Sequence, residues 1–406
     1  MARLLGAGVS TNRFGEHLAV RNWFSTPEFV TPHSTCLQLL SRQRDEVITR
    51  RTGAALENPE KWLFLDTETT GLAGGTGTYA FLIGLAWWDA GGLQVEQLFM
   101  RDFAEEHSVL CQLAARLAER PVLVTFNGKT FDWPLLENRF RMTRSIPVPN
   151  LAAHLDLLHP ARALWKFRLG TVRLTDLERD VLNPTLLGWC RQGDVSSKFI
   201  PQFYFDYLRG GPPEPLLGVA RHNQMDLRGL AALFGKINAM LAEETDADDE
   251  MHSLDLFGLS KFLHRRGDKG RAQITCAQAV DLGLPVEFHS RAQYDLALMA
   301  KRKGEHERAA ELWHEILADS ADAIHACEQL AIHYEKRVQD YERALEFAHR
   351  ACRLLRKQAS QNNVFARSGF GRRVDLSMKR IKRLEGRLTK RTGKLLTLAE
   401  TSTSTV

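Results

Sequence analysis

One stretch constrains this chain more than any other: Phe64-Leu65-Asp66-Thr67-Glu68-Thr69-Thr70-Gly71-Leu72. The apolar run Trp62-Leu63-Phe64-Leu65 has the pattern of a buried strand, and it runs straight into two acids one residue apart. Side chains at i and i+2 of a strand point to the same side, so Asp66 and Glu68 present their oxygens together. Carboxylates held that close repel unless a positive group sits between them. A hard divalent cation, which takes oxygen ligands, is the usual partner. Any further ligands for it must come from other parts of the chain.

The elements that follow predict an α/β domain. Thr78 to Trp88 and Leu93 to Met100 read as strands, with Gly91-Gly92 suiting the hairpin turn between them. His107 to Arg120 carries Val109, Leu110, Leu113, Ala114 and Leu117 at helical spacing. Pro121 to Phe126 is a fourth strand, Phe131 to Arg141 a second helix, and Leu151 to Leu158 a fifth strand. Three antiparallel strands, a helix, a strand, a helix and a strand are the order of a ribonuclease H-like fold with a mixed five-stranded sheet. From Pro160 to about Met240 the chain reads as mostly helical, over Arg162 to Leu169, Thr175 to Leu182 and Leu216 to Leu241.

Two more acids stand in a meaningful order. Asp132 lies in Asn127-Gly128-Lys129-Thr130-Phe131-Asp132, where a strand hands over to a helix. Asp226 follows His222 by four residues on a late helix, so the two share one helical face. Any one of these acids alone would read as a turn or cap residue; the four together, in the right order and on the right elements, read as one site. This set resembles the DEDD superfamily of 3′–5′ exonucleases. The resemblance implies that Asp66, Glu68, Asp132 and Asp226 bind two Mg²⁺ or Mn²⁺ ions and that His222 is the general base. It further implies that Thr69, Thr70, Leu72 and Asn127 contact the terminal nucleotide. The His branch of the superfamily usually spaces its base H-x4-D; the spacing here is H-x3-D, that of the Tyr branch. Thr69 to Tyr79, His154-Leu155-Asp156-Leu157-Leu158, Leu177-Glu178 and His222-Asn223 resemble more narrowly the bacterial YprB-type ribonuclease H-like proteins, and Asp156 matches a family position. Trp165-Lys166-Phe167-Arg168 and Phe203-Tyr204-Phe205 could stack on bases, but core packing is the expected role.

The chemistry expected from this resemblance is a two-metal one. Two divalent ions about 4 Å apart hold the attacking and leaving oxygens of a phosphodiester and lower the pKa of a bound water. The expected activity is 3′ to 5′ hydrolysis of DNA, plausible in DNA repair; the alternatives are an exoribonuclease and a catalytically weak scaffold acting through helical repeats. Loss of a carboxylate would mark the scaffold, and none is lost. Gly74-Gly75-Thr76-Gly77 is not a phosphate-binding P-loop, since no Gly-Lys-Ser/Thr follows.

With 406 residues, more than one domain is expected. The sequence divides into a lead-in segment (1–60, with a polar, helix-compatible stretch over 41–51), the ribonuclease H-like domain (61–242), an acidic linker (243–252), helical repeats (253–365), and a basic amphipathic helix and tail (366–406). Gly267-Asp268-Lys269-Gly270-Arg271-Ala272, Gly304-Glu305-His306-Glu307-Arg308-Ala309 and Gln339-Asp340-Tyr341-Glu342-Arg343-Ala344 share one pattern, with Arg-Ala steps 37 and 35 residues apart. A helix–turn–helix period near 34 resembles tetratricopeptide repeats, which implies a groove for a protein partner. The resemblance to the YprB-type proteins implies a helicase in a DNA-repair pathway as one candidate for that partner. The tail carries its cations on a helix whose apolar side is expected to cap the repeats while the basic face stays free for a polyanion. The six cysteines are scattered without a CxxC pair, as expected in a reducing cytoplasm, and no run of about 18 apolar residues calls for a membrane.

Overall fold

The computed structural model describes residues 1–25, 55–71, 77–183, 185, 188–242, 251–317, 323–361 and 368–403. They fall into two compact units, Met1–Glu250 and Met251–Val406. The acidic stretch 243–250, the polar stretch 41–51 and Leu72 lie outside the described residues.

The first unit is built on a mixed sheet. Its strands are β1 (Gly8–Asn12), β2 (Gly15–Phe24), β3 (Trp62–Thr69), β4 (Ala80–Asp89), β5 (Gly92–Phe99), β6 (Val122–Thr125) and β7 (Ala153–Asp156), in the order β1-β2-β5-β4-β3-β6-β7. β3, β6 and β7 run parallel, and the other neighbours are antiparallel. The sheet therefore has seven strands rather than the expected five. The two extra strands come from residues read only as a lead-in, which fold back as a hairpin on the β5 edge. The β4–β5 turn is also one residue earlier than expected. Ala90 (φ 49°) and Gly91 (φ 80°) form it, and Asp89 pairs with Gly92. Two left-handed residues in succession match the right-handed twist of the flanking strands.

The strand period assigns the two faces of the sheet. Leu63 and Leu65 on β3 meet the helices Glu106–Glu119 and Asp132–Thr143 through Leu113, Leu135, Leu136 and Phe140. Trp62 and Phe64 point the other way, to Phe234 on the 28-residue helix Pro215–Ala242; the Trp62–Phe234 and Phe64–Trp88 ring centroids are each 4.9 Å apart. Asp66 and Glu68 continue this second row. The packing that holds the long helix on the sheet therefore also brings its earlier turns over the two acids. Tyr204 stacks on Phe81 (4.1 Å, 8°) and donates to Met100 O, while Trp165 is buried; both aromatic runs serve the core.

The second unit is helical. Three helical hairpins pair Ser253–Arg266 with Lys269–Asp281, Val286–Lys303 with His306–Ile316, and Ala323–His333 with Tyr341–Gln361. Gly267, Gly304 and Gln339 take left-handed φ at equivalent turns, and Ala272, Ala309 and Ala344 are each 0% exposed just beyond. A small residue at that place lets the paired helices close up. The helix Ser368–Thr403 packs on Tyr341–Gln361. Part of its basic face is paired rather than left free as expected. Arg383 pairs with both oxygens of buried Glu335 (2.9 Å each), Arg380 and Arg387 approach the same carboxylate, and Arg373 pairs with Glu328. An acid buried in the repeat stack draws these cations inward. No helix among the described residues is long and apolar enough to cross a membrane.

Candidate active site

The carboxylates converge at the C-terminal end of β3. A bulge sits there: Glu68 pairs with Leu82 but Thr69 with Ala80, leaving Phe81 as the extra residue. Asp66 Oδ2 accepts from Asn223 Nδ2 at 2.8 Å, and Asn223 Oδ1 in turn accepts from Gln97 Nε2 at 2.8 Å. Asn223 reaches Asp66 because its β4 neighbour is Gly84; a methyl group there would overlap the Asn223 amide. Asp132 opens its helix and accepts from Thr67 Oγ1 at 2.5 Å. Thr67 points to the opposite side of β3 from Asp66 and Glu68, so Asp132 comes in around the strand end.

His222 and Asp226 enter from the long helix. The ligand atoms of Glu68, His222 and Asp226 lie within 4.8 Å of one another, and His222 Nε2 is 3.5 Å from Asp226 Oδ2. The other ring nitrogen, Nδ1, lies 2.8 Å from Asp194 Oδ2. A carboxylate there fixes Nδ1 as the donor and turns Nε2 to the acids.

Burial and mutual repulsion raise the proton affinity of the cluster. Burial pushes Asp66 well above the usual carboxyl range, and the charges of Asp226 and Asp132 push it further. Glu68 is raised by burial, then by Asp66, Asp226 and Asp132. Asp132 is raised by burial to about 6, against the donation from Thr67. Added positive charge would favour the ionised forms of Asp66, Glu68 and Asp132. The donors of the cluster, carboxylate oxygens with one imidazole, fit a hard divalent cation. Glu68, His222 and Asp226 bring ligand atoms close enough to share one ion, and the charges of Asp66 and Asp132 act on the same cluster.

The flanking residues divide. Thr69 Oγ1 donates to Gly71 O, and Thr69 lines a cleft of about 440 Å³ with Thr67, Thr130, Phe131, Asp132 and Asn138. The Thr70 hydroxyl accepts from Tyr79 N and closes the β3–β4 end. Asn127 adopts φ 66°, and its N–H donates to Asp156. Asp156 also accepts from the N–H groups of Lys129 and Leu158. It thus pins the loop ahead of Asp132, and its charge helps to raise the Asp132 carboxyl.

Sequence reasoning missed Arg191 and Asp194, which lie on the short loop after Trp189. Arg191 bridges Glu178, Asp194 and Asp226. An Arg three residues before an Asp in a loop carries no periodic signal. Glu178 and Asn223 stood out only as family matches, without a role.

Strand-borne acids at the end of the third strand of a mixed sheet, completed by a helix crossing that face, define a ribonuclease H-like domain, and residues 63–238 match the RNase H superfamily. The chain is 29% identical over 299 residues to the uncharacterized protein YprB of Bacillus subtilis (strain 168), covering 72% of this chain and 70% of that protein. The chain thus carries a ribonuclease H-like domain and is similar to YprB over most of its length. Among solved structures, the family B DNA polymerase from the hyperthermophilic archaeon Pyrobaculum calidifontis matches at a TM-score of 0.36 and 15% identity, over 55% of this chain and 29% of the polymerase.

Proposed function

We propose that this protein is a divalent-metal-dependent exonuclease that hydrolyses DNA from the 3′ end. The observation that carries this reading is the meeting of Glu68, His222 and Asp226 within 4.8 Å, with raised proton affinity at Asp66, Glu68 and Asp132 and an open cleft at Asp132. Bound Mg²⁺ or Mn²⁺, two ions by resemblance, supplies charge to the phosphodiester oxygens and acidifies a water. Asp66 and Glu68 on the strand and Asp226 on the helix would hold that charge, with Asp132 reaching it around the end of β3. His222 accepts the water's proton at Nε2, while Asp194 holds Nδ1–H and so keeps the acceptor nitrogen in the site. Thr69, Thr130 and Phe131 line the cleft that would take the terminal nucleotide. The helical hairpins are proposed to act as tetratricopeptide-like repeats that hold a protein partner; by resemblance this is a helicase in cytoplasmic DNA repair.

Digestion of end-labelled single- and double-stranded DNA and RNA with Mg²⁺ or Mn²⁺ tests the substrate and polarity. Stepwise shortening of DNA that stops at a blocked 3′ end is expected. Degradation of RNA alone would replace the substrate, and internal cleavage unaffected by the block would overturn the exonuclease reading.

A further inference from the structure

One guanidinium ties together three carboxylates around the candidate base and the helix-borne acid. Arg191 Nε and Nη2 lie 2.7 and 2.6 Å from the two oxygens of Glu178, Nη1 lies 3.0 Å from Asp194 Oδ2, and Nη2 also contacts Asp226 Oδ1. Its remaining approach, Nη1 to His222 Nδ1, is 3.4 Å. The planar fork is thus committed to carboxylates and has little left to offer a phosphate.

The anchor of this arrangement is deep. Glu178 is 1% exposed, receives a further bond from Trp189 Nε1 at 3.3 Å, and lies against Gly229 of the long helix, where a methyl group would overlap its Oε1. A buried charge with such tight surroundings fixes its partner in place. Arg191 in turn takes Asp226 by Oδ1, which leaves Oδ2 toward His222 and Glu68. Arg191 also holds the same Asp194 oxygen that faces His222 Nδ1.

We propose that Arg191 is a positioning residue: anchored by Glu178, it presents one oxygen of Asp226 to the cation and sets the ring of His222 through Asp194. The proposal rests on the cation reading above and adds a residue that touches neither cation nor substrate. Groups that hydrogen-bond a metal's carboxylate ligands commonly change metal affinity by about 10–100-fold when removed.

The test is Mn²⁺ binding by titration calorimetry on the full chain, with thermal melts in EDTA as a check of folding. Arg191→Met alone strands the buried Glu178 charge, so it is paired with Glu178→Gln. Arg191→Lys keeps the charge but loses the fork, and Gly229→Ala displaces Glu178 without removing any charge. A fall of about 10–100-fold in Mn²⁺ affinity is expected in the double variant and in Gly229→Ala. Arg191→Lys should fall as well, because a point charge cannot serve three carboxylates at once. In turnover, kcat should drop while KM for DNA holds. Wild-type affinity in a folded double variant or in Arg191→Lys would overturn the proposal. So would tighter Mn²⁺ binding, which would make Arg191 a competitor for the site. If the wild-type protein binds no Mn²⁺, the cation reading itself fails, a result separate from either.

Discussion

Asp132 shows how a single carboxyl links stability to chemistry. Its pKa is raised from 3.8 to about 6, so between those values the folded protein holds a proton that the unfolded chain has released. Stability therefore falls as pH rises through that window in the absence of cation. Asp132→Asn should be more stable than wild type in EDTA at neutral pH, by roughly 1–3 kcal/mol. That advantage should vanish near pH 4, as read by chemical denaturation at the two pH values. Mn²⁺ should reverse the order at neutral pH, since only the wild type gains a full ligand. His222→Gln should lower kcat by roughly 10²–10⁴-fold, with KM little changed, in steady-state digestion of a labelled oligonucleotide. Glu68, His222 and Asp226, which the structure brings together, could be singled out in the sequence because they lie on regular elements, where strand or helix period states which way each points. Arg191 and Asp194 could not. They lie on a loop, and their partner Glu178 is buried by contacts from a helix about 50 residues further along the chain (Gly229).

At the scale of elements, the site depends on how the helix Pro215–Ala242 seats on β3. Phe234 lies against Trp62, Phe64 and Trp88, and none of its surface is exposed. Phe234→Ala should cost about 3–5 kcal/mol. Because the same helix carries His222 and Asp226, it should also weaken Mn²⁺ binding, a coupling that calorimetry on the variant reads directly. Most strands and helices near the site were readable from their periods. The N-terminal hairpin was not. β1 buries none of its residues fully, and β2 buries His17 and Leu18 next to each other instead of alternating. Its hydrogen bonds come from β5, with Leu18 opposite Phe99, a partner far away in sequence. Local pattern cannot report a strand whose stability is supplied by a distant edge.

Across the whole molecule, charge is distributed unevenly. The C-terminal helix pairs Arg373, Arg380, Arg383 and Arg387 with Glu328 and Glu335, while the exposed Arg372, Lys379, Lys382, Lys390 and Arg391 have no such acid partner among the described residues. If the exposed set tracks a nucleic-acid backbone, neutralising Lys379, Lys382 and Lys390 to Gln should flatten the salt dependence of single-strand binding by about 0.7 per lost contact. An unchanged slope would make this helix a solvated cap. The repeat period was legible because the Arg-Ala steps recur; the inward pairing was not, since it depends on a buried acid in another helix.

The carboxylates at the end of β3 are proposed to hold a divalent cation for phosphodiester hydrolysis. The most direct measurement is digestion of a 5′-labelled single-stranded DNA by wild type and by Asp66→Asn, each with Mn²⁺ and with EDTA. Stepwise shortening by the wild type with Mn²⁺ alone, and none by the variant, is the expected result. Cleavage that survives in EDTA or in Asp66→Asn would contradict it.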